Sequence, residues 1–313
     1  MYNLIPVFCA RDIISLVRAL PGSAAQGLIW GIMAIGVFLT FKILDFADLT
    51  VDGSFGTGGA VTVMLILAGY PPVAAVGIAF LAGILAGIVT GILHTVFGIP
   101  AILSGILSQI ALYSVNLNIS QGKANQAVSV DLYDLIVTGR NNPATILTVI
   151  IILALIIALL YWFFGTEIGF TIRATGCNEN MSRAQGINTS IAKVVALAFS
   201  NGLVALAGGI LSQYQGNFDV NMGRGAIVIG LASVIIGEVI GEALLGKRLN
   251  FSGRLAFVAI GSIIYYVVIQ FVLWMGLPTI DMKLFSALVV AIFLAVPYMS
   301  GKSKNSYRKA VKK

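Results

Sequence analysis

The chain of 313 residues is 58% hydrophobic and only 10% charged, against roughly 25% charged residues in a soluble globular domain. That excludes a soluble enzyme or binding module and calls for apolar helices of about 20 residues that cross a bilayer. The formal charge of +7 does not make a nucleic-acid binder, because Lys302, Lys304, Arg308, Lys309, Lys312 and Lys313 all follow the last apolar run, where bases mark the cytoplasmic side and meet anionic lipid.

Residues 2–20 read as an amphipathic helix lying on the membrane, and Arg11, Asp12 and Arg18 break up the apolar stretch that a cleavable signal needs. Apolar runs then predict spans at Ala24–Phe41, Gly53–Ala68, Val73–His94, Ile99–Val115, Ala144–Phe164, Ile191–Leu211, Ala226–Leu245, Leu255–Met275 and Leu284–Tyr298. The fold class that follows is an all-α membrane protein, a polytopic bundle of about 8–10 transmembrane helices. Gly53–Ala68 and Ala226–Leu245 are candidates for a broken or re-entrant course. The expected organisation is a membrane-associated segment over 1–21, one transmembrane domain over 22–300 and a basic cytoplasmic tail over 301–313.

Loop charges orient the bundle. The loop at 165–190 carries Arg173 and Arg183, the connection at 246–254 carries Lys247, Arg248 and Arg254, and the tail is basic. An even number of crossings separates these segments, so all three lie in the cytoplasm. The intervening connections, including 116–143, balance each base with an acid. The side on which the chain starts is left open by this pattern. Many of the 35 glycines recur at helical spacing inside spans, as at Gly83, Gly87 and Gly91, and small residues let membrane helices approach closely.

Three polar stretches interrupt the apolar background. The first, Asp45–Gly59, packs Asp45, Asp48 and Asp52 with Gly53 and Ser54 between two apolar runs. A charge at the bilayer centre costs roughly 2.5–3.5 kcal/mol on insertion scales. These acids therefore either cap the next helix at an interface or line a wet path where a helix is broken. The second is the pair Glu238 and Glu242, which share a helix face at i, i+4. It reads either as an ion relay or as acids neutralised by Lys247 and Arg248. The nearby Gly241–Lys247 run imitates a phosphate-binding loop, but Arg248 stands where a magnesium-binding Ser or Thr belongs. The third stretch is Glu167–Asn188, a dense polar loop between two long spans. One histidine, His94, and two cysteines, Cys9 and Cys177, supply no spacing for a metal site.

The polar loop reads Arg173-Ala-Thr-Gly176-Cys-Asn178, then Arg183-Ala-Gln-Gly186-Ile-Asn188. It resembles the coupling loop of the permease family of ABC importers for branched-chain amino acids and simple sugars. Asp48-Leu-Thr-Val-Asp-Gly-Ser54 resembles a turn after that family's early span, and the glycine-rich 222–241 resembles its later half. The turn looks like that of the sub-branch associated with amino-acid, often aromatic amino-acid, binding lipoproteins.

The resemblance implies a homodimeric permease in the cytoplasmic (inner) membrane of a bacterium. It implies two ABC ATPase subunits and an extracytoplasmic solute-binding protein as partners. This chain would hold no cofactor and catalyse nothing; ATP and magnesium belong to the ATPases. Segment 178–186 would form a coupling helix, with Glu179 and Arg183 as polar contacts and Met181 as apolar anchor. Arg173, Asn178, Asn180, Ser182, Ala184 and Gly186 complete the coupling set, and Asp45, Asp48, Asp52, Gly53 and Ser54 are assigned to the solute path. The competing reading is an ion-coupled secondary transporter or channel built on the intramembrane carboxylates.

Overall fold

The computed structural model describes residues 13–130, 132–140, 142–246 and 250–275, with 284, 285, 287, 288, 290 and 291. The N-terminal twelve residues, Lys247, Arg248, most of the ninth predicted span and the basic tail lie outside the described residues. The helices are α1 (Ile13–Phe38), α2 (Val51–Leu67), α3 (Pro72–Thr95), α4 (Ala101–Ile119), α5 (Asn142–Phe163), α6 (Glu167–Cys177), α7 (Glu179–Ala184), α8 (Thr189–Gln215), α9 (Ala226–Leu245) and α10 (Phe251–Trp274). Seven of the described helices are long and apolar enough to cross a membrane, while α2 is shorter at 17 residues. The all-α, multi-pass expectation holds.

Of the surface helix expected over 2–20, residues 2–12 lie outside the described residues and 13–20 belong to α1. α1 runs unbroken from Ile13 through Pro21 into the first span and ends in one π-helical turn, Leu39–Ile43. Its Gly22 carbonyl accepts from the Tyr214 hydroxyl at the far end of α8, and Tyr214 also reaches Asn142 at the start of α5. The charge pattern assigns those ends to the outer face, so α1 descends from the outside inward. Two short strands, β1 (Asn125–Ala127) and β2 (Asn217–Asp219), pair antiparallel on that outer side and tie its two longer connections together.

In lipid the helices gain little by burying apolar surface, so close backbone packing and polar contacts hold them together. α1 and α8 form the centre: every residue from Gly27 to Thr40 is buried. The glycine ladder of α3 lies on α8, with Gly83 against Asn201, Gly87 against Leu197 and Gly91 against Val194. α2 meets the same helix as closely. Its Gly58 faces the Ala205 carbonyl, while Gly208 of α8 faces the Phe55 carbonyl. A side chain at either glycine would enter the opposing backbone. The outer faces of α3, α4 and α5 present Leu81, Leu85, Ile110, Leu147, Ile151 and Leu155, the apolar surface a bilayer requires.

Between the π-helical turn and α2 the chain turns back into the bundle. Residues 44–50 carry it from the cytoplasmic end of α1 to Asn201, the middle of α8, where α2 begins. α2 therefore spans only the outer part of the bundle, which accounts for its length. The expected re-entrant course is found at Gly53–Ala68, whereas α9 is one continuous helix. That continuity also disposes of the phosphate-loop imitation, since Gly241–Leu245 is the end of a helix.

Candidate functional site in the cytoplasmic loop and the re-entrant turn

The polar loop folds as two capped helices. α6 is N-capped by Thr166 and closes at Asn178, whose side chain accepts from Met181 N at 3.0 Å and so opens α7. Asn188 repeats the device, accepting from Ile191 N at 3.1 Å to start α8. Each cap satisfies an amide that the first helical turn leaves without a partner. Gly186, at φ 81, makes the left-handed turn between α7 and α8. Six residues make too short a helix to persist alone; α7 stands because both ends are tied.

Glu179 is the main tie. Its carboxylate accepts from Arg183 at 2.6 Å and from Lys193 of α8 at 2.8 Å, and Thr189 also points its hydroxyl to it. The expected polar pair is thus already engaged within the chain, while Met181 is 60% exposed and available to a partner. Asn180 and Ala184 are exposed as well, and Ser182 is buried, its hydroxyl donating to the Asn178 carbonyl. Lys193 continues the contact inward. Its ammonium lies 3.4 Å from Nε2 of His94, whose Nδ1 faces the Ile99 carbonyl at 2.8 Å. The His94 ring in turn meets Phe46 of the re-entrant segment edge-on at 5.1 Å.

Arg173 takes a different place from its neighbours in the motif. It donates to the Phe164 carbonyl at 2.9 Å and lies among the rings of Phe164, Phe170 and Phe251. It braces α6 against the ends of α5 and α10. Cys177 is a free, exposed thiol.

The Lys193 ammonium donating to Glu179, helped by the charges of Lys193 and Arg183 and opposed by partial burial, holds this carboxyl below the ordinary glutamate value. A depressed carboxyl contributes stability that is complete above its ordinary value and is lost as pH falls through the lowered one. The melting difference between the wild type and Glu179→Gln is therefore expected to be constant from neutral to mildly acid pH. It should vanish only at the acid end; a difference that grows on acidification would refute the tie. Exposed pairs of this kind contribute about 0.2–1 kcal/mol each.

The re-entrant turn separates the three aspartates. Asp45 is exposed, with φ 55. Asp48 is buried at 2% exposure; it accepts from Thr50 N at 2.9 Å and from Asn201 Nδ2 at 2.7 Å. Ser54, also buried, donates to Asn201 Oδ1 at 2.6 Å. Thr50, Thr90 and Ser108 add a buried hydroxyl chain joining the turn to α3 and α4. Asp52 caps a helix, but α9 rather than its own: it accepts from Gly225 N at 2.9 Å and Ile227 N at 3.0 Å. This is where an anion suits the positive end of a helix.

Asp52 also borders a cleft of about 290 Å³ between α2, α4 and the segment before α9, lined by Gly53, Gln109, Tyr113, Asn116 and Arg224. Arg224 borders a second cleft as well, of about 380 Å³, walled by Trp30, Met222, Tyr265 and Tyr266. The sequence reading missed Asn201, Asn116 and Arg224. Asn116 and Gln109 sit with Tyr113 on one face of α4, and polar residues inside a span were the available signal.

Glu238 and Glu242 stand in different surroundings. Glu242 is exposed, whereas Glu238 pairs with Lys42 at 2.9 Å and lies 3.9 Å from Arg254. Glu238 thus fastens the inner ends of α1, α9 and α10; the Lys247 and Arg248 expected to neutralise it lie outside the described residues.

The family described as branched-chain amino acid transport system permease component matches residues 20–297. A tyrosine transport system permease protein of Clostridioides difficile is 38% identical over 288 residues, 92% of this chain and 94% of the relative. An uncharacterised protein of Rickettsia prowazekii is 30% identical over 272 residues, 86% and 94% of the two chains. A ribose import permease protein of Escherichia coli is 26% identical over 237 residues, 74% and 71%. No solved structure gives a significant match. With seven apolar spans among the described residues and a family match over nearly its whole length, the chain belongs to the branched-chain amino acid transport system permease family, as a multi-pass protein of the bacterial inner membrane.

Proposed function

We propose that this chain is the membrane subunit of an ABC importer for an amino acid, with an aromatic amino acid, tyrosine first, as its solute. In this reading two copies pair, two ATPase subunits bind ATP and magnesium on the cytoplasmic side, and an external binding protein delivers the solute. The observation that carries it is α7: a short helix capped at Asn178, tied to α8 through Glu179 and Lys193, and presenting Met181 outward. Such a helix can transmit a push. Movement at α7 reaches α8 directly and the re-entrant turn through Lys193, His94 and Phe46, so ATPase closure would shift the elements around the solute path and alternate access.

The tyrosine transport permease relative supports an amino acid over a sugar, and it is more similar than the ribose permease. Against the ion-coupled alternative stand the carboxylates themselves. Asp48 and Glu238 are each occupied in holding two or more elements together.

The test is a mild-detergent pull-down of the tagged chain from its native membrane, followed by reconstitution. An ATPase subunit and a solute-binding protein are expected in the eluate, and vesicles holding the complex should accumulate labelled tyrosine only when ATP is supplied. A homo-oligomer free of any ATPase would overturn the proposal.

A further inference from the structure

We infer that the cleft between α2, α4 and the segment before α9 is the site that holds the amino and carboxylate groups of the passing amino acid, with Asp52 and Asn116 on the ammonium and Arg224 on the carboxylate. This assignment rests on the amino-acid reading above.

The cleft brings opposite charges together without letting them cancel. Asp52 is directed to the two backbone amides of α9, and among the described residues no carboxylate pairs with Arg224. The Arg224 guanidinium instead lies 5.9 Å from the Tyr113 ring. The two Asp52 oxygens have four lone pairs between them, and the amides of Gly225, Ala226 and Ile227 engage three of these. Asn116 supplies the independent sign of a ligand. It is 2% exposed, it lines the cleft, and its Oδ1 has no hydrogen-bond partner among the described residues. A buried acceptor left in this way costs free energy unless something donates to it. An ammonium placed there would donate to both Asn116 Oδ1 and Asp52, while Arg224 meets the carboxylate of the same molecule.

The size fits. Small-molecule sites run from about 300 to 1,000 Å³, and this cleft of about 290 Å³ takes the head of one small solute. A neutral sugar carries no carboxylate and would leave Arg224 unanswered, which is how such a site discriminates. Gly53 and Gly56 let α2 lie close against α4: a side chain at Gly53 would meet Leu112, and one at Gly56 would meet Asn116.

The experiment uses the complete transporter in proteoliposomes, with saturating tyrosine-loaded binding protein and labelled tyrosine as probe. Arg224 is exposed, so Arg224→Gln leaves packing intact. A hydrogen bond to a charged group is worth enough for about a tenfold effect or more. Uptake is expected to fall at least about tenfold in Arg224→Gln, with partial recovery in Arg224→Lys and undiminished docking of the binding protein. Asn116→Leu should show the same loss, with insertion checked separately. Uptake within about twofold of wild type in Arg224→Gln would overturn the site. So would loss of binding-protein docking, which would make Arg224 a docking residue. A wild-type transporter that moves no tyrosine would refute the proposed function instead, and the two failures are thereby distinguished.

Discussion

Asn201→Leu is expected to destabilise the folded bundle by about 1–3 kcal/mol, the usual cost of leaving a buried polar group without its partner. Asn201 sits at the middle of α8, fully buried, and its amide is shared three ways. Nδ2 donates to Asp48 and to the Leu197 carbonyl, and Oδ1 accepts from Ser54. Leucine would leave the Asp48 carboxylate with Thr50 alone, facing an apolar wall at the point where the chain re-enters. Asp48→Asn should be milder, since an amide carries no charge to desolvate and an amide at 201 can turn to meet it. The double variant Asp48→Leu with Asn201→Leu should recover part of the loss, because it leaves no buried carboxylate without its donor, although Ser54 and Thr50 N lose their acceptors. The measurement is the melting temperature of the purified chain in detergent across the three variants. An unchanged midpoint in Asn201→Leu would mean that this amide does not hold the turn.

The same residues explain what the sequence could and could not disclose. Apolar runs of the necessary length announce the spans directly, and bases mark the cytoplasmic ends. Both signals are local, and the described helices agree with the first of them. The caps at Asn178 and Asn188 were similarly readable, because a cap and the amide it serves lie three residues apart. Which face of each helix turns inward was not. In a soluble protein apolar periodicity marks the core face, but here lipid-facing Leu81 and Leu85 are as apolar as the side chains packed on α8. Only the small residues, as at Gly83, Gly87 and Gly91, disclose the packed face.

Long-range polar partners were hidden for a second reason. Asp48 meets Asn201 across 153 positions, and Asp52 meets Gly225 across 173. Nothing in either neighbourhood specifies the other, so Asp45, Asp48 and Asp52 looked like one set although the fold gives them three separate environments. The polar face of α4 was the missed clue: Gln109 and Asn116 are costly in a span unless something answers them, and the cleft with Arg224 lies on that side.

Reversing the charges of Glu179 and Arg183 together is expected to abolish ATP-driven uptake while insertion and expression stay normal. The double reversal preserves the i, i+4 pair inside α7 but sets a new ammonium against that of Lys193, which in the wild type lies 2.8 Å from the Glu179 carboxylate. Repulsion replaces the tie between α7 and α8. Exposed pairs are worth about 0.2–1 kcal/mol, so the bundle, held by buried glycine contacts and the Asp48–Asn201 bond, should melt within a few degrees of wild type. What is lost is transmission, because a six-residue helix with one end free cannot carry a push into α8. Uptake should fall at least about tenfold, roughly the effect of losing a charged hydrogen bond, while the ATPases continue to hydrolyse ATP without moving solute. Adding Lys193→Glu makes the cluster a mirror image of the original and should restore uptake. Rescue by that third change separates a lost intramolecular tie from a lost contact with the ATPase. If the triple variant stays dead and the double variant still binds the ATPase weakly, Glu179 and Arg183 serve the partner surface rather than the link to α8. Full uptake by the double variant would remove both residues from coupling altogether.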